Sequence, residues 1–177
     1  MNSRNKEGKG GYASVNGLNM YYEVHGTSRP PLVLLHGALS AIGTSFERVL
    51  PSLAKTRRVI AIEQQAHGHT ADINRSLTIE LMADDTTALL RNLGIEEADI
   101  FGYSLGAGIA LQVTIKHPDL VRKLVLAAVT YNKDGLQPGL LAGMENLKPE
   151  NLAGTPGKRS TPGYRPIRKT GPRWSPK

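Results

Sequence analysis

Short apolar runs alternate with longer stretches of helical periodicity along most of this chain. The run at residues 32–35 is uninterrupted and follows Pro30-Pro31, which is typical of a strand buried on both faces. Asn16-Gly17 lies between two shorter runs and predicts a β-hairpin, since that dipeptide favours tight turns. The predicted strands are residues 12–15, 20–25, 32–35, 58–62, 99–101 and 124–129.

The helical stretches fall between these strands. Residues 78–93 carry apolar side chains at helical spacing, and Gly94 is positioned to end that helix. Residues 105–117 form a second predicted helix, stopped by Pro118, and residues 46–53 form a short one. Because strands alternate with helices, the sequence predicts an α/β fold with a doubly wound, mostly parallel sheet.

The regular pattern fades after residue 131. Residues 155–177 hold five prolines and three glycines among basic residues, a composition that predicts disorder. The formal net charge of +7 comes from this tail, because residues 157–177 contain seven basic side chains and no acid. The predicted organisation is a polar segment at 1–11, an α/β core at 12–131, a further segment at 132–154 and the basic tail at 155–177.

The composition excludes several classes of protein. The chain has no cysteine, so it can hold neither disulfides nor thiolate metal sites. It has no apolar run of membrane-spanning length, and its first residues lack the apolar stretch of a signal peptide. We therefore expect a cytoplasmic protein with no membrane partner.

The segment Gly102-Tyr103-Ser104-Leu105-Gly106 joins a predicted strand to the helix that follows it. A sharp strand-to-helix turn of this kind is a nucleophile elbow, which projects the serine hydroxyl clear of the sheet. A side chain at Gly102 or Gly106 would collide with the neighbouring strand and helix backbones. The start of the helix also favours negative charge that develops beside the serine. Ser104 is therefore the candidate nucleophile.

His36-Gly37 follows the strand at residues 32–35, upstream of the elbow. In this arrangement the backbone N–H of Ala38 can pair with that of Leu105 as an oxyanion hole. We interpret the His36 imidazole as structural, so the functional prediction rests on the two backbone groups.

Together these motifs resemble the N-terminal half of an α/β hydrolase. The resemblance rests on Leu32-Val-Leu-Leu-His-Gly37, Ala66-His-Gly-His-Thr70 and Gly102-Tyr-Ser-Leu-Gly-Ala-Gly108, in that order and spacing. The chain is similar to the group of esterases, lactonases, haloperoxidase-like enzymes and carbon–carbon hydrolases. The match covers residues 12–131, and residues 132–154 resemble the start of a cap region.

The resemblance implies Ser104 as nucleophile, with Ala38 and Leu105 as oxyanion donors. It implies a small-molecule substrate with an ester, lactone or amide carbonyl, and neither a metal nor an organic cofactor. A serine at the elbow argues against the haloalkane dehalogenase and epoxide hydrolase branches, which place an aspartate there.

The chain departs from the family pattern in its acid and base. A serine hydroxyl needs a histidine to take its proton and an acid to orient that histidine, and in this fold both follow the serine. The one histidine after Ser104 is His117, at the far end of a helix about 18 Å long. His25 and His36 lie upstream, as do His67 and His69, which the resemblance implies are turn formers. The sequence therefore predicts that the triad acid and histidine are missing from this chain, which would be catalytically impaired.

The tail offers a reason for this loss. Read one codon position out of step, permitted codons for residues 162–177 allow the string RISPNPEDWPALVAK, which is similar to an α/β-hydrolase continuation after the sixth strand. Our hypothesis is that a frameshift near residues 155–157 replaced the cap, the last strands, the acid and the histidine, and left the sheet incomplete. The alternative is a genuine basic, proline-rich tail.

Two other functions stay open beside the impaired hydrolase. One is a non-catalytic remnant that retains the elbow and hydrolyses nothing efficiently. The other is a module that binds anionic partners through the basic tail. Nucleic acid is not the partner we expect, because the tail has two aromatic residues, Tyr164 and Trp174, and no recognisable nucleic-acid motif.

Overall fold

The structure is a computed structural model that describes residues 8–130 and positions 135, 139, 143 and 146. The tail predicted at 155–177 and most of the segment at 132–154 lie outside the described residues. The strands are β1 (Lys9–Val15), β2 (Leu18–His25), β3 (Leu32–Leu35), β4 (Val59–Ile62), β5 (Ala98–Tyr103) and β6 (Val121–Ala127). The helices are α1 (Ile42–Phe46), α2 (Leu50–Leu53), α3 (Ile79–Asn92) and α4 (Leu105–Lys116), with a 3-10 turn at Pro118–Leu120.

The six strands form one sheet in the order β1-β2-β4-β3-β5-β6. Strand β2 runs antiparallel to β1 and β4, and the remaining pairs are parallel. This confirms the predicted α/β fold with a mostly parallel sheet. Leu35 pairs with both Ile62 and Gly102, so the carboxyl ends of β3, β4 and β5 meet at one edge of the sheet.

Helices cover both faces of the central strands. Val33, Leu35 and Ile60 join the apolar cluster beneath α3 and α4. Leu34 and Val59 join a smaller cluster beneath α1 and α2. Alternate residues of β3 and β4 are thus buried on opposite faces, which explains why these strands appear as uninterrupted apolar runs. None of the helices in the described part of the chain has the length and apolarity needed to cross a membrane.

The helix predicted at 46–53 is instead two short helices, α1 and α2. Pro51 lies in the first turn of α2, where its missing N–H costs no hydrogen bond, so a new helix begins there. Helix α3 follows the prediction closely: the Thr78 hydroxyl accepts from Leu81 N–H at 3.2 Å and caps its start.

Strand β6 begins at Val121, three residues before the predicted start, and ends at Ala127. The charged Arg122 and Lys123 belong to the strand. Arg122 and Arg57 both donate to the buried Asp99 carboxylate, at 2.6 and 2.5 Å. Burial acts to raise the pKa of Asp99, but these hydrogen bonds outweigh it and hold that pKa below its usual range. The charged Arg122 thus lies in a strand and pairs with a buried carboxylate.

Candidate active site

Ser104 occupies the turn between β5 and α4. Its φ is 53° and its ψ is −115°. This left-handed backbone conformation is strained for any residue other than glycine. The Ser104 carbonyl accepts from Ala107 N–H at 2.9 Å, and the Ser104 N–H donates to the Ala127 carbonyl at 2.9 Å. Helix α4 and the end of β6 thus hold the turn, and Ser104 itself is exposed.

Two glycines allow this turn to lie against its neighbours. A Cβ on Gly102 would lie 2.3 Å from the Gly106 carbonyl oxygen and 2.5 Å from Ala107 Cα. A Cβ on Gly106 would lie 2.1 Å from the Leu35 carbonyl oxygen. All of these neighbours are backbone atoms, which cannot rotate away. The close approach expected from the Gly-x-Ser-x-Gly spacing is therefore confirmed.

The loop after β3 lies beside the elbow. A Cβ on Gly37 would be 3.1 Å from Tyr103 Cδ1 and 3.4 Å from Ser104 Cβ. Ala38 follows directly in this loop. Leu105 is the first residue of α4, so its N–H has no acceptor within the helix. The structure brings the loop and the helix start to one place, while the oxyanion role of Ala38 and Leu105 stays a prediction.

His36 is fully buried at the end of β3, and both of its ring nitrogens have partners. Nδ1 lies 2.8 Å from the Gly37 carbonyl, and Nε2 accepts from Gln64 N–H at 3.1 Å. This pattern requires the neutral ring with its proton on Nδ1. Burial, with a smaller contribution from His67, lowers the pKa of His36 to about 3. These contacts support a structural imidazole.

His67 anchors the same loop from the other side. Its Nε2 accepts from Leu39 N–H at 3.2 Å, and its Nδ1 lies 2.8 Å from the Gln65 carbonyl. Burial lowers the pKa of His67 as well, which keeps the ring neutral. The family resemblance implies a turn-forming role for His67, and no signal in the sequence indicates this contact, which spans 28 residues of chain.

The remaining histidines are engaged elsewhere. His69 Nδ1 lies 2.9 Å from the buried Glu63 carboxylate, and His25 Nε2 lies 2.8 Å from Glu23. His117 caps the C-terminal end of α4, whereas Ser104 lies at its N-terminal end. The His117 Nδ1 is 3.4 Å from the Arg91 guanidinium. All five histidines of the sequence lie in the described part of the chain. Among the described residues, none of their side-chain hydrogen bonds involves Ser104.

Ser104 lies in a sharp turn between a parallel strand and a helix, and the loop that contains Gly37 lies beside it. This arrangement is typical of the α/β-hydrolase fold. The family model for the alpha/beta hydrolase fold matches residues 30–156, and this chain belongs to that family.

Named relatives support this assignment. The 2-hydroxymuconate semialdehyde hydrolase of Pseudomonas sp. (strain CF600) is 39% identical over 103 residues, which cover 54% of this chain and 35% of that protein. The solved structure of Est816, an N-acyl homoserine lactone degrading enzyme, is 30% identical with a TM-score of 0.66, over 76% of this chain and 52% of that one. The enol-lactonase from Burkholderia xenovorans LB400 is 26% identical with a TM-score of 0.61, over 64% and 44%. The chain thus spans between a third and about half of the length of these relatives.

Proposed function

We propose that this chain carries the nucleophile of a serine-dependent hydrolase whose substrate is a small molecule with an ester, lactone or amide carbonyl. The observation that carries the proposal is the conformation of Ser104. Holding a residue in so sparsely populated a backbone conformation costs about 1–3 kcal/mol of folding free energy. Such residues cluster at active sites. The hydroxyl of Ser104 is at an exposed turn, where an incoming carbonyl could reach it.

The surroundings of Ser104 suit the charge that such a reaction creates. Attack of the serine oxygen on a carbonyl carbon forms a tetrahedral oxyanion, which needs hydrogen-bond donors. The N–H groups of Ala38 and Leu105 would supply them, aided by the positive end of α4. In the proposed site, His36 and His67 hold the loop that contains Ala38, so they act as positioning residues.

We further propose that this chain alone is a poor catalyst. A serine hydroxyl attacks efficiently only when a base takes its proton. None of the side-chain hydrogen bonds of the five histidines involves Ser104 in the described structure, which supports the proposal that none of them is that base. Because triad members act as a unit, loss of the base alone removes most of the rate.

The position where family similarity stops supports the frameshift hypothesis. The match to the family model ends at residue 156, and the proposed change of frame lies at residues 155–157. The basic tail of residues 157–177 follows at once. A foreign reading frame from this point would account for a family-like core followed by a sequence without family character.

A chimera tests the nucleophile. Residues 1–130 are fused to the part of the Pseudomonas semialdehyde hydrolase that follows its matched region, where the family resemblance implies an acid and a histidine. The chimera should hydrolyse an activated aryl ester at least 100-fold faster than its Ser104→Ala form, since an intact triad acts through its serine. Circular dichroism of both forms controls for folding. Equal rates in two folded forms would disprove the assignment of Ser104.

A further inference from the structure

The peptide groups on both sides of Ala38 are held by buried imidazoles. Gly37 C=O and Ala38 N–H belong to one planar peptide, and the Gly37 oxygen lies 2.8 Å from His36 Nδ1. The next peptide ends in the Leu39 N–H, which donates to His67 Nε2 at 3.2 Å. The direction of the Ala38 N–H therefore depends on where these two rings lie.

Two neighbouring loops at this edge of the sheet each contain a strained residue. Leu39, in the loop after β3, has a φ of 55°, and Ala66, in the loop after β4, has a φ of 64°. Residues other than glycine keep such conformations only where their surroundings hold them firmly. His67 connects the two loops, since it follows Ala66 in the chain and accepts from Leu39. The loop after β4 can hold its neighbour only if it is itself fixed.

A series of hydrogen bonds from α3 fixes the loop after β4. Arg75 donates to both carboxylate oxygens of Asp85, a residue of α3 that is fully buried. The Nε of Arg75 donates to Gln65 Oε1 at 2.6 Å, and the Gln65 carbonyl lies 2.8 Å from His67 Nδ1. The planar guanidinium can serve both partners at once because its donors form a rigid fork.

Stability alone is a weak reason for this ion pair. The Arg75 side chain is 19% exposed and that of Asp85 is 0% exposed, so both charges have lost most of their contact with water. The desolvation of a buried ion pair can cost as much free energy as the attraction between its charges returns. What the pair does provide is a fixed direction for the Arg75 Nε, which is the donor that reaches Gln65.

We propose that Arg75 is a positioning residue for the oxyanion donor Ala38. It transmits the fixed position of Asp85 in α3 to Gln65, and the Gln65 carbonyl then fixes the ring of His67. The described hydrogen bonds of Arg75 go to Asp85 and Gln65, so it acts through the loop and not on the reacting atoms. The role rests on the proposed function, because only that function gives the Ala38 N–H an oxyanion to bind.

Two substitutions cut the link between Arg75 and Gln65. In Arg75→Lys the ammonium can still pair with Asp85, so the buried carboxylate keeps a countercharge, but lysine lacks the fork that also reaches Gln65. Gln65→Met removes the same link from the other side with an unbranched side chain. Asn16→Gly is the matched control, because Asn16 Nδ2 donates to the same Asp85 carboxylate at 3.0 Å from the β1–β2 turn. Glycine accepts the φ of 48° at that position.

Nuclear magnetic resonance of the full chain follows the loop and needs no catalysis. In both link variants the amide resonance of Ala38 should move. The Leu39 amide should exchange with solvent about fivefold faster or more, because its acceptor ring is no longer fixed. The ¹⁵N shifts of the His67 ring should show the proton on Nδ1 in the wild type and both tautomers in the link variants. The control should leave all three readouts unchanged, and the exchange of amides in β3 and β4 reports any general loss of stability.

Three results would overturn the role of Arg75. One is that both link variants leave the three readouts unchanged. Another is that Asn16→Gly changes them equally, since any loss at Asp85 would then act alike. The third is that amides throughout β3 and β4 exchange faster with no excess at Leu39, which would assign the pair to stability alone. Failure of the proposed function is a separate result: equal rates in the Ser104 chimera would disprove the nucleophile, while these readouts would still decide whether Arg75 fixes the loop.

Discussion

Substitution of Gly106 by alanine measures how closely the elbow is built onto the sheet. The new Cβ would lie 2.1 Å from the Leu35 carbonyl oxygen, 2.5 Å from the Leu35 carbonyl carbon and 2.7 Å from the His36 carbonyl oxygen. Non-bonded atoms of this kind stay more than 3 Å apart, so helix α4 would have to move away from β3 by about 1 Å. The atoms involved are backbone, which makes local relief difficult.

Two opposing effects set the magnitude. Alanine favours the helix over glycine by about 1 kcal/mol. Overpacking of a well-packed interior typically costs about 1–3 kcal/mol, and more when the backbone must shift. We expect the steric cost to win, with a net loss of about 2 kcal/mol or more in the free energy of unfolding. That is a large share of the roughly 5–15 kcal/mol typical of a domain.

Urea denaturation followed by circular dichroism measures this loss, and a decrease of about 2 kcal/mol corresponds to roughly 1 M in the midpoint. Two other glycines serve as controls. A Cβ on Gly43 meets nothing within 4 Å in helix α1, so Gly43→Ala should stabilise slightly. Gly94 is also open but has a φ of +67°, so Gly94→Ala should cost about 1 kcal/mol through the backbone alone. If Gly106→Ala were as stable as the wild type, the close approach of α4 to β3 would be refuted.

Three further predictions concern strain, pH and the coding sequence. Ala66 has a φ of +64°, so Ala66→Gly should raise the free energy of unfolding by up to about 1 kcal/mol, and a lower urea midpoint would contradict this. The pKa of His36 is about 3 in the fold and near its ordinary 6.5 when the chain is unfolded, so between those values the unfolded state binds the extra proton. Stability should therefore fall as the pH drops from 6.5 to 4.5, by about 1.4 kcal/mol per pH unit for this histidine, and His36→Asn should reduce the slope by one proton. A profile that is flat in this interval, or unchanged by the substitution, would oppose the assignment. Finally, the DNA that encodes residues 162–177 should give a family-like sequence when read one position out of step, continuing to an acid loop and a late histidine. Stop codons in that frame would favour a genuine tail.

The sequence predicts the sheet and the elbow because both leave strictly local signals. A strand buried on both faces must be apolar throughout, as residues 32–35 are. The turn at Ser104 requires glycine on either side, since any Cβ there would meet backbone atoms. These constraints act on consecutive residues, so their pattern is visible without the fold.

Features that depend on distant residues could not be predicted in this way. The sequence predicts the start of β6 three residues late, because Arg122 and Lys123 are charged and the pairing of Arg122 with the buried Asp99 is not visible in the sequence. The contact of His67 with Leu39 joins two loops that are separated by 28 residues. For a histidine in a glycine-rich turn, the neighbouring sequence does not indicate which backbone N–H will donate a hydrogen bond to its ring nitrogen.

Whether Ser104 has a base is tested by two rates of hydrolysis, that of the unaltered chain and that of its Ser104→Ala form, with an activated aryl ester at pH 8. An oxyanion hole and binding alone can leave a serine hydrolase about 10³–10⁴-fold above water when its triad is lost, and a partly formed pocket would leave less. We therefore predict turnover barely above the uncatalysed background, changed little by Ser104→Ala because an unactivated hydroxyl contributes little. A large rate that disappears in Ser104→Ala would show that a histidine of this chain, or of a second copy, does reach the serine, and the account of an elbow without its base would be wrong.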